Sequence, residues 1–102
     1  MLTIGYIENG KSTNRYHLPF VLQRKNIKVK TIYERNPKHE KWARIKGINY
    51  TSNLDDLLKD KEIQLIVVCA LHNSHYEYAK MVLEHGKKGC FIKEKKIARK
   101  SI

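Results

Sequence analysis

Hydrophobic and polar positions along the chain divide it into short alternating blocks. Leu2-Thr3-Ile4-Gly5-Tyr6-Ile7 predicts a strand that ends at a turn. Residues 18–24 predict a helix entered through Pro19, whose fixed φ suits a first turn. Residues 29–33, Val-Lys-Thr-Ile-Tyr, are rich in β-branched side chains and predict a second strand. A helix is expected from Asn36-Pro37 to about residue 46, with Asn36 as its cap and Gly47 as its stop. Residues 48–51 predict a brief third strand, and Ser52 or Asn53 caps a short helix over 54–58. Residues 65–71, Leu-Ile-Val-Val-Cys-Ala-Leu, are apolar throughout. At strand length, that argues for a strand covered on both faces, as in a parallel sheet. Asn73 or Ser74 starts a last helix with Tyr78, Ala79, Val82 and Leu83 on one stripe, ending at Gly86.

Strand and helix alternate four times, which predicts right-handed crossovers and an α/β fold built on a doubly wound parallel sheet. The chain has 102 residues, of which 41% are hydrophobic, enough for one modest core. The expected organisation is a single Rossmann-type domain over residues 1–86 and a basic tail over 87–102, with room in the tail for one more strand.

The formal charge is +11, and residues 86–102 hold seven Lys/Arg against one Glu. Such an excess admits a nucleic-acid- or protein-binding module as an alternative. Solvated lysines are the plainer reading, and neither an RNA-binding aromatic signature nor metal-finger spacing is present, so no nucleic-acid partner and no metal are expected. Cys69 lies in an apolar run and reads as a buried thiol, in keeping with a cytoplasmic location. The longest apolar run is far short of the roughly 20 residues that span a bilayer, so no membrane partner is expected.

Candidate chemistry lies in residues 5–13, GYIENGKST. Taken from Gly5, the segment fits the phosphate loop of nucleotide hydrolases, with Lys11 on the terminal phosphates and Ser12 on magnesium. Against this, Tyr6 and Ile7 continue the strand pattern, and the best buried strand ends without an aspartate. Taken from Glu8, it is a dinucleotide turn, with Gly10 as the second glycine and Thr13 at the third position. Glu34, at the end of the second strand, lies 24 residues beyond Gly10. An acid about 20 residues on can accept hydrogen bonds from an adenosine ribose. Arg35 beside it could stack on adenine or meet a 2′-phosphate, although exposed charge at a strand end is equally ordinary.

Residues 10–19, 50–58, 67–75 and 79–87, in that order and spacing, resemble the N-terminal domain of the Gfo/Idh/MocA family (glucose–fructose oxidoreductase and inositol dehydrogenase). The resemblance implies NAD or NADP binding and hydride exchange with sugars, polyols and related alcohols, completed by a second, mostly β domain. On the resemblance, Ile7, Gly10, Lys11 and Ser12 line the pyrophosphate turn, and Glu34 and Arg35 meet the ribose end. Cys69, Ala70, Leu71, His72 and His75 border the nicotinamide side. His75 also reads as a structural residue at a helix start.

Three departures from the family pattern matter. Glu8 stands where the family has its first glycine, and Ala70-Leu71 where it has Thr-Pro. After Gly86 the chain reads Lys-Lys-Gly-Cys-Phe-Ile-Lys-Glu-Lys-Lys, without the family's Glu-Lys-Pro and its catalytic Lys. Glu94-Lys95-Lys96 can be taken as a shifted version of that motif; the preferred reading is that residues 85–93 resemble a strand segment of the family's second domain, joined near Gly86 by an internal deletion or frameshift. Either way, a truncated oxidoreductase-family protein is expected, with weak or absent cofactor binding, no catalytic residues of its own and a tendency to form homo-oligomers through uncovered edges.

Overall fold

A computed structural model describes residues 1–10, 12–35, 42, 44–69 and 72–91, with the backbone alone described for residues 12, 72–75, 90 and 91. β1 (Leu2–Ile7) leads into a π-wound turn of helix (Ser12–His17) that continues as α1 (Leu18–Val21). Then come β2 (Ile27–Tyr33), β3 (Asn49–Thr51), α2 (Asp55–Leu58), β4 (Leu65–Val68), α3 (His72–Glu84) and β5 (Lys88–Phe91). The five strands form one sheet in the order β3-β2-β1-β4-β5, with every pairing parallel.

The unbroken apolar run of β4 has the expected cause. Ile66 and Val68 pack on one face with Ile7, Leu57, Tyr78 and Val82, while Val67 packs on the other with Ile4, Tyr6, Leu18 and Ile32. Each such side chain, fully buried, contributes about 1.5–3 kcal/mol. Because Leu18 belongs to α1, and the first group draws on α2 and α3, helices cover both faces. The chain changes face between β2 and β4, on either side of β1. At that reversal of strand order, the carboxyl ends of the strands leave a crevice, the usual ligand position in open α/β sheets.

One irregularity marks the pairing of β1 with β2. Pairing runs Ile4 with Val29 and then Gly5 with Thr31, so Lys30 is a one-residue bulge. The bulge resets the alternation and lets Val29 and Ile32, three apart, face the same cluster. It also sends the Lys30 Nζ to Asp60 Oδ2 at 2.6 Å and Glu62 Oε1 at 2.9 Å. From the other side, Lys87 Nζ donates to the carbonyls of Asp60 and Ile63 at 2.7 and 2.9 Å. The loop before β4 is therefore held between two lysines at the amino edge of the sheet.

Several expectations need correction. The first helix begins earlier than residue 18 and ends at Val21, and its opening turn is π-wound. Pro19 has no N–H to offer the carbonyl of Arg15 and its ring crowds that carbonyl, so the regular ladder is interrupted ahead of it. In α3, Tyr78 and Val82 are buried as expected, but Leu83 is 61% exposed and Met81 packs against the core instead. Of the helix expected over 36–46, residues 36–41 and 43 lie outside the described residues. Arg44–46 is not helical, and Gly47 turns the chain at φ 95°. Asn53 does serve α2, accepting from Asp55 N–H at 3.1 Å.

Lys88–Phe91 pairs in parallel with β4 as the fifth strand of this sheet. No described helix is long and apolar enough to cross a membrane.

A Cβ at Gly5 would stand 3.3 Å from the Leu57 side chain and 3.3 Å from the Thr31 carbonyl oxygen. Gly5 thus lets α2 settle directly on β1. Gly5→Val is expected to destabilise the fold by about 1–3 kcal/mol through overpacking. The check is a lower urea midpoint with an unchanged slope.

Candidate nucleotide-binding site

β1 delivers Ile7 to the carboxyl edge between its two neighbours. The N–H of Glu8 donates to the Tyr33 carbonyl of β2 at 2.9 Å, and the N–H of Cys69 donates to the Ile7 carbonyl at 3.1 Å. The chain then turns at Glu8 with φ 86°, the left-handed region that favours glycine. For a side-chain-bearing residue this costs about 1–2 kcal/mol. Gly5, by contrast, lies inside β1, paired to Thr31 and Ile66. No loop opens there, and the phosphate-loop reading falls.

Side chains hold the turn from within. The hydroxyl of Thr13, fully buried, donates to the Glu8 carbonyl at 2.7 Å. Asn14 Nδ2 donates to Asn9 Oδ1 at 2.7 Å and to the Gly10 carbonyl at 2.8 Å. A Cβ at Gly10 would meet nothing within 4 Å. The missing side chain therefore serves no internal packing. It leaves the main chain open to close approach from outside, which is what a diphosphate on such a turn requires.

The two carboxylates of the site face opposite ways. Glu34, 5% exposed, accepts from Asn9 Nδ2 at 2.9 Å and from Arg44 Nη2 at 2.9 Å, so it ties the turn to the end of β2. Glu8 Oε2 accepts from the Tyr78 hydroxyl of α3 at 3.2 Å and stands 3.6 Å from Arg35 Nε. Arg35 in turn donates to the Tyr78 oxygen through Nε at 3.1 Å and Nη2 at 2.7 Å. Burial, with Glu8 and Tyr33 nearby, outweighs the guanidinium and pushes the Tyr78 phenol up to about 12. The phenol therefore keeps its proton and remains a donor to Glu8. The Arg35 guanidinium is raised above its ordinary value, chiefly by its bond to Tyr78.

Of the residues expected at a site, Ile7, Gly10, Glu34, Arg35 and Cys69 lie along the carboxyl edges of β1, β2 and β4. Ser12 begins the helical turn beyond Gly10, and His72 and His75 lie in the first turn of α3. Lys11, Ala70 and Leu71 lie outside the described residues. Sequence reasoning placed Asn9 and Asn14 in the turn region without giving them a role, and missed Arg44 and Tyr78. Tyr78 sat on an apolar stripe and read as core; only its hydroxyl does the polar work, and no spacing signals that. Asn9 beside a glycine was a usable turn signal.

A parallel, doubly wound sheet with an open glycine turn after its first strand and an acid after its second defines the class of dinucleotide-binding Rossmann domains. The sequence model of the Gfo/Idh/MocA oxidoreductase family, NAD-binding Rossmann fold, matches residues 2–98, and the chain belongs to that family. It is 47% identical over 89 residues to the uncharacterized oxidoreductase YhhX of Escherichia coli (strain K12), covering 85% of this chain and 26% of that protein. The crystal structure of yhhX superposes with a TM-score of 0.82 at 45% identity, covering 89% of this chain and 27% of that one. An oxidoreductase from Bacillus cereus gives 0.76 at 46% identity, covering 94% and 27% respectively. The chain thus spans about a quarter of the length of these relatives.

Thr13→Val keeps the bulk of the side chain and removes the donor to the Glu8 carbonyl. It is expected to cost about 1–2 kcal/mol. Thermal or urea unfolding reads the loss, with Thr13→Ser retaining most of the stability.

Proposed function

We propose that the chain is the cofactor-holding portion of an NAD(P)-dependent oxidoreductase, binds NAD or NADP weakly, and transfers no hydride unaided. The observation that carries this reading is the turn after Ile7, where Gly10 leaves open space above the main chain beside the Glu34 carboxylate. Ile7, Gly10, Lys11 and Ser12 would hold the diphosphate. Glu34 and Arg35 would meet the ribose, and Cys69, Ala70, Leu71, His72 and His75 would border the nicotinamide. When bound, the nicotinamide supplies a hydride donor or acceptor; the residues of this chain bind and orient it.

Weak binding is expected because Glu8 brings a carboxylate to the rim of the diphosphate site. Its contacts with Tyr78 and Arg35 draw that charge aside without removing it. Catalysis further requires a substrate held in contact and a positioned acid or base. Lys95, which a shifted motif would align with the family's catalytic Lys, lies outside the described residues. The buried Cys69 suits a cytoplasmic location.

Titration of the purified chain with NADH, followed by nicotinamide fluorescence, is expected to give a dissociation constant of about 0.1 mM or weaker. No binding at millimolar ligand would overturn the cofactor reading. Turnover of a polyol by the chain alone would overturn the claim that it is not self-sufficient.

We also propose self-association. Tyr16, Phe20 and Leu22, before, on and after α1, are 60%, 64% and 46% exposed, and β3 ends the sheet among the described residues. Light scattering is expected to report a dimer or larger assembly; a monomer at high concentration would reject it.

A further inference from the structure

Two guanidinium groups among the described residues stand near the ribose end of the crevice, and each already answers a carboxylate. Arg44 donates to Glu34 Oε1 at 2.9 Å and lies 4.3 Å from the centre of the Tyr50 ring. Arg35 donates twice to the Tyr78 oxygen and stands 3.6 Å from Glu8 Oε2, which accepts the Tyr78 proton. The three groups close a triangle. Tyr78 uses both acceptor positions for Arg35 and its one donor for Glu8.

A phosphate on the ribose 2′ position is bound by a cation that presents several N–H donors to it. Recruiting Arg44 would take a partner from the Glu34 side chain, which is only 6% exposed, and a buried carboxylate stripped of its cation is strongly disfavoured. Arg35 is the cheaper source, because its side chain is 55% exposed and its pairing is correspondingly weak. What keeps Arg35 turned toward α3 is therefore the feature that decides.

We infer that Glu8 determines the form of the cofactor: by holding Arg35 against Tyr78, it denies the ribose end a guanidinium for a 2′-phosphate, so the site takes NAD(H) in preference to NADP(H). This rests on the dinucleotide reading above. Glu34 acts in the same direction, since its carboxylate can accept from a free 2′-hydroxyl and repels a phosphate. Glu8 is thus both a departure from the glycine its backbone conformation favours and the anchor of a neighbouring arginine.

The test compares NADH and NADPH titrations of the chain and of Glu8→Gly. Glycine adopts the φ of 86° freely, so this variant is expected to fold at least as well as the parent. Glu8→Gln is the companion variant, keeping the side chain and removing its charge. The parent is expected to bind NADH about tenfold more tightly than NADPH. Both variants are expected to narrow that ratio about threefold to fivefold, as release of an exposed ion pair permits. Taking a ratio separates release of Arg35 from any general gain at the diphosphate, which would raise both affinities together. Equal binding of the two cofactors by the parent, or an unchanged ratio in both variants, would overturn the inference and leave dinucleotide binding standing. Binding of neither cofactor by the parent would remove the dinucleotide reading, and this inference with it.

Discussion

The main chain at Glu8 is the point on which the site depends. There β1 must stop, its last carbonyl bound by β4 and the next N–H given to β2, and the chain must swing toward the helix that crosses to β2. Only a left-handed residue makes that corner. Glycine would take it without strain; a glutamate takes it because its carbonyl is held by Thr13 and its carboxylate by Tyr78. The local cost is of the same order as the hydrogen bonds around it, so the corner persists as part of a network. Position 8 therefore keeps the backbone geometry of a glycine while adding a charge that glycine would not have.

That added charge reorganises its surroundings. Arg35, just beyond β2, and Tyr78, on α3, meet directly, and the Glu8 carboxylate stands against both. Glu34 works on the other side of the turn with Asn9 and Arg44. The turn is pinned from both flanks by carboxylates, yet the space above Gly10 remains open. The carboxylates nearest that space are engaged in ion pairs and hydrogen bonds.

Much of the architecture was legible in the sequence for one physical reason: a parallel sheet covered on both faces leaves an apolar run with no alternation, and residues 65–71 carry it. The placement of the turn after Ile7 was legible because Tyr6 and Ile7 keep the strand pattern past Gly5. What was not legible depended on contacts between distant elements. The bulge at Lys30 has no local signature, since both neighbouring registers place β-branched residues inward. The π-wound entry to α1 arises from a proline whose effect falls on residues before it. Leu83 looked as eligible for burial as Met81, and only the approach of α3 to the sheet separates them. At the site, glycine and acid could be read by spacing, whereas the partners of those residues, Tyr78 and Arg44, could not.

The two lysines that grip the loop before β4 give the molecule a division by edge. Lys30 and Lys87 satisfy Asp60, Glu62 and two carbonyls at the amino ends of the strands, on the side away from the crevice. Framework ion pairing at that edge is thus separate from the arginine–carboxylate pairs that shape the opposite rim. Dissolved electrolyte would loosen the former by screening and, at the other rim, weaken the hold of Glu8 on Arg35. Ionic strength thereby becomes a single external variable that reaches both the rigidity of the scaffold and the selectivity of its mouth, through charges that never touch one another.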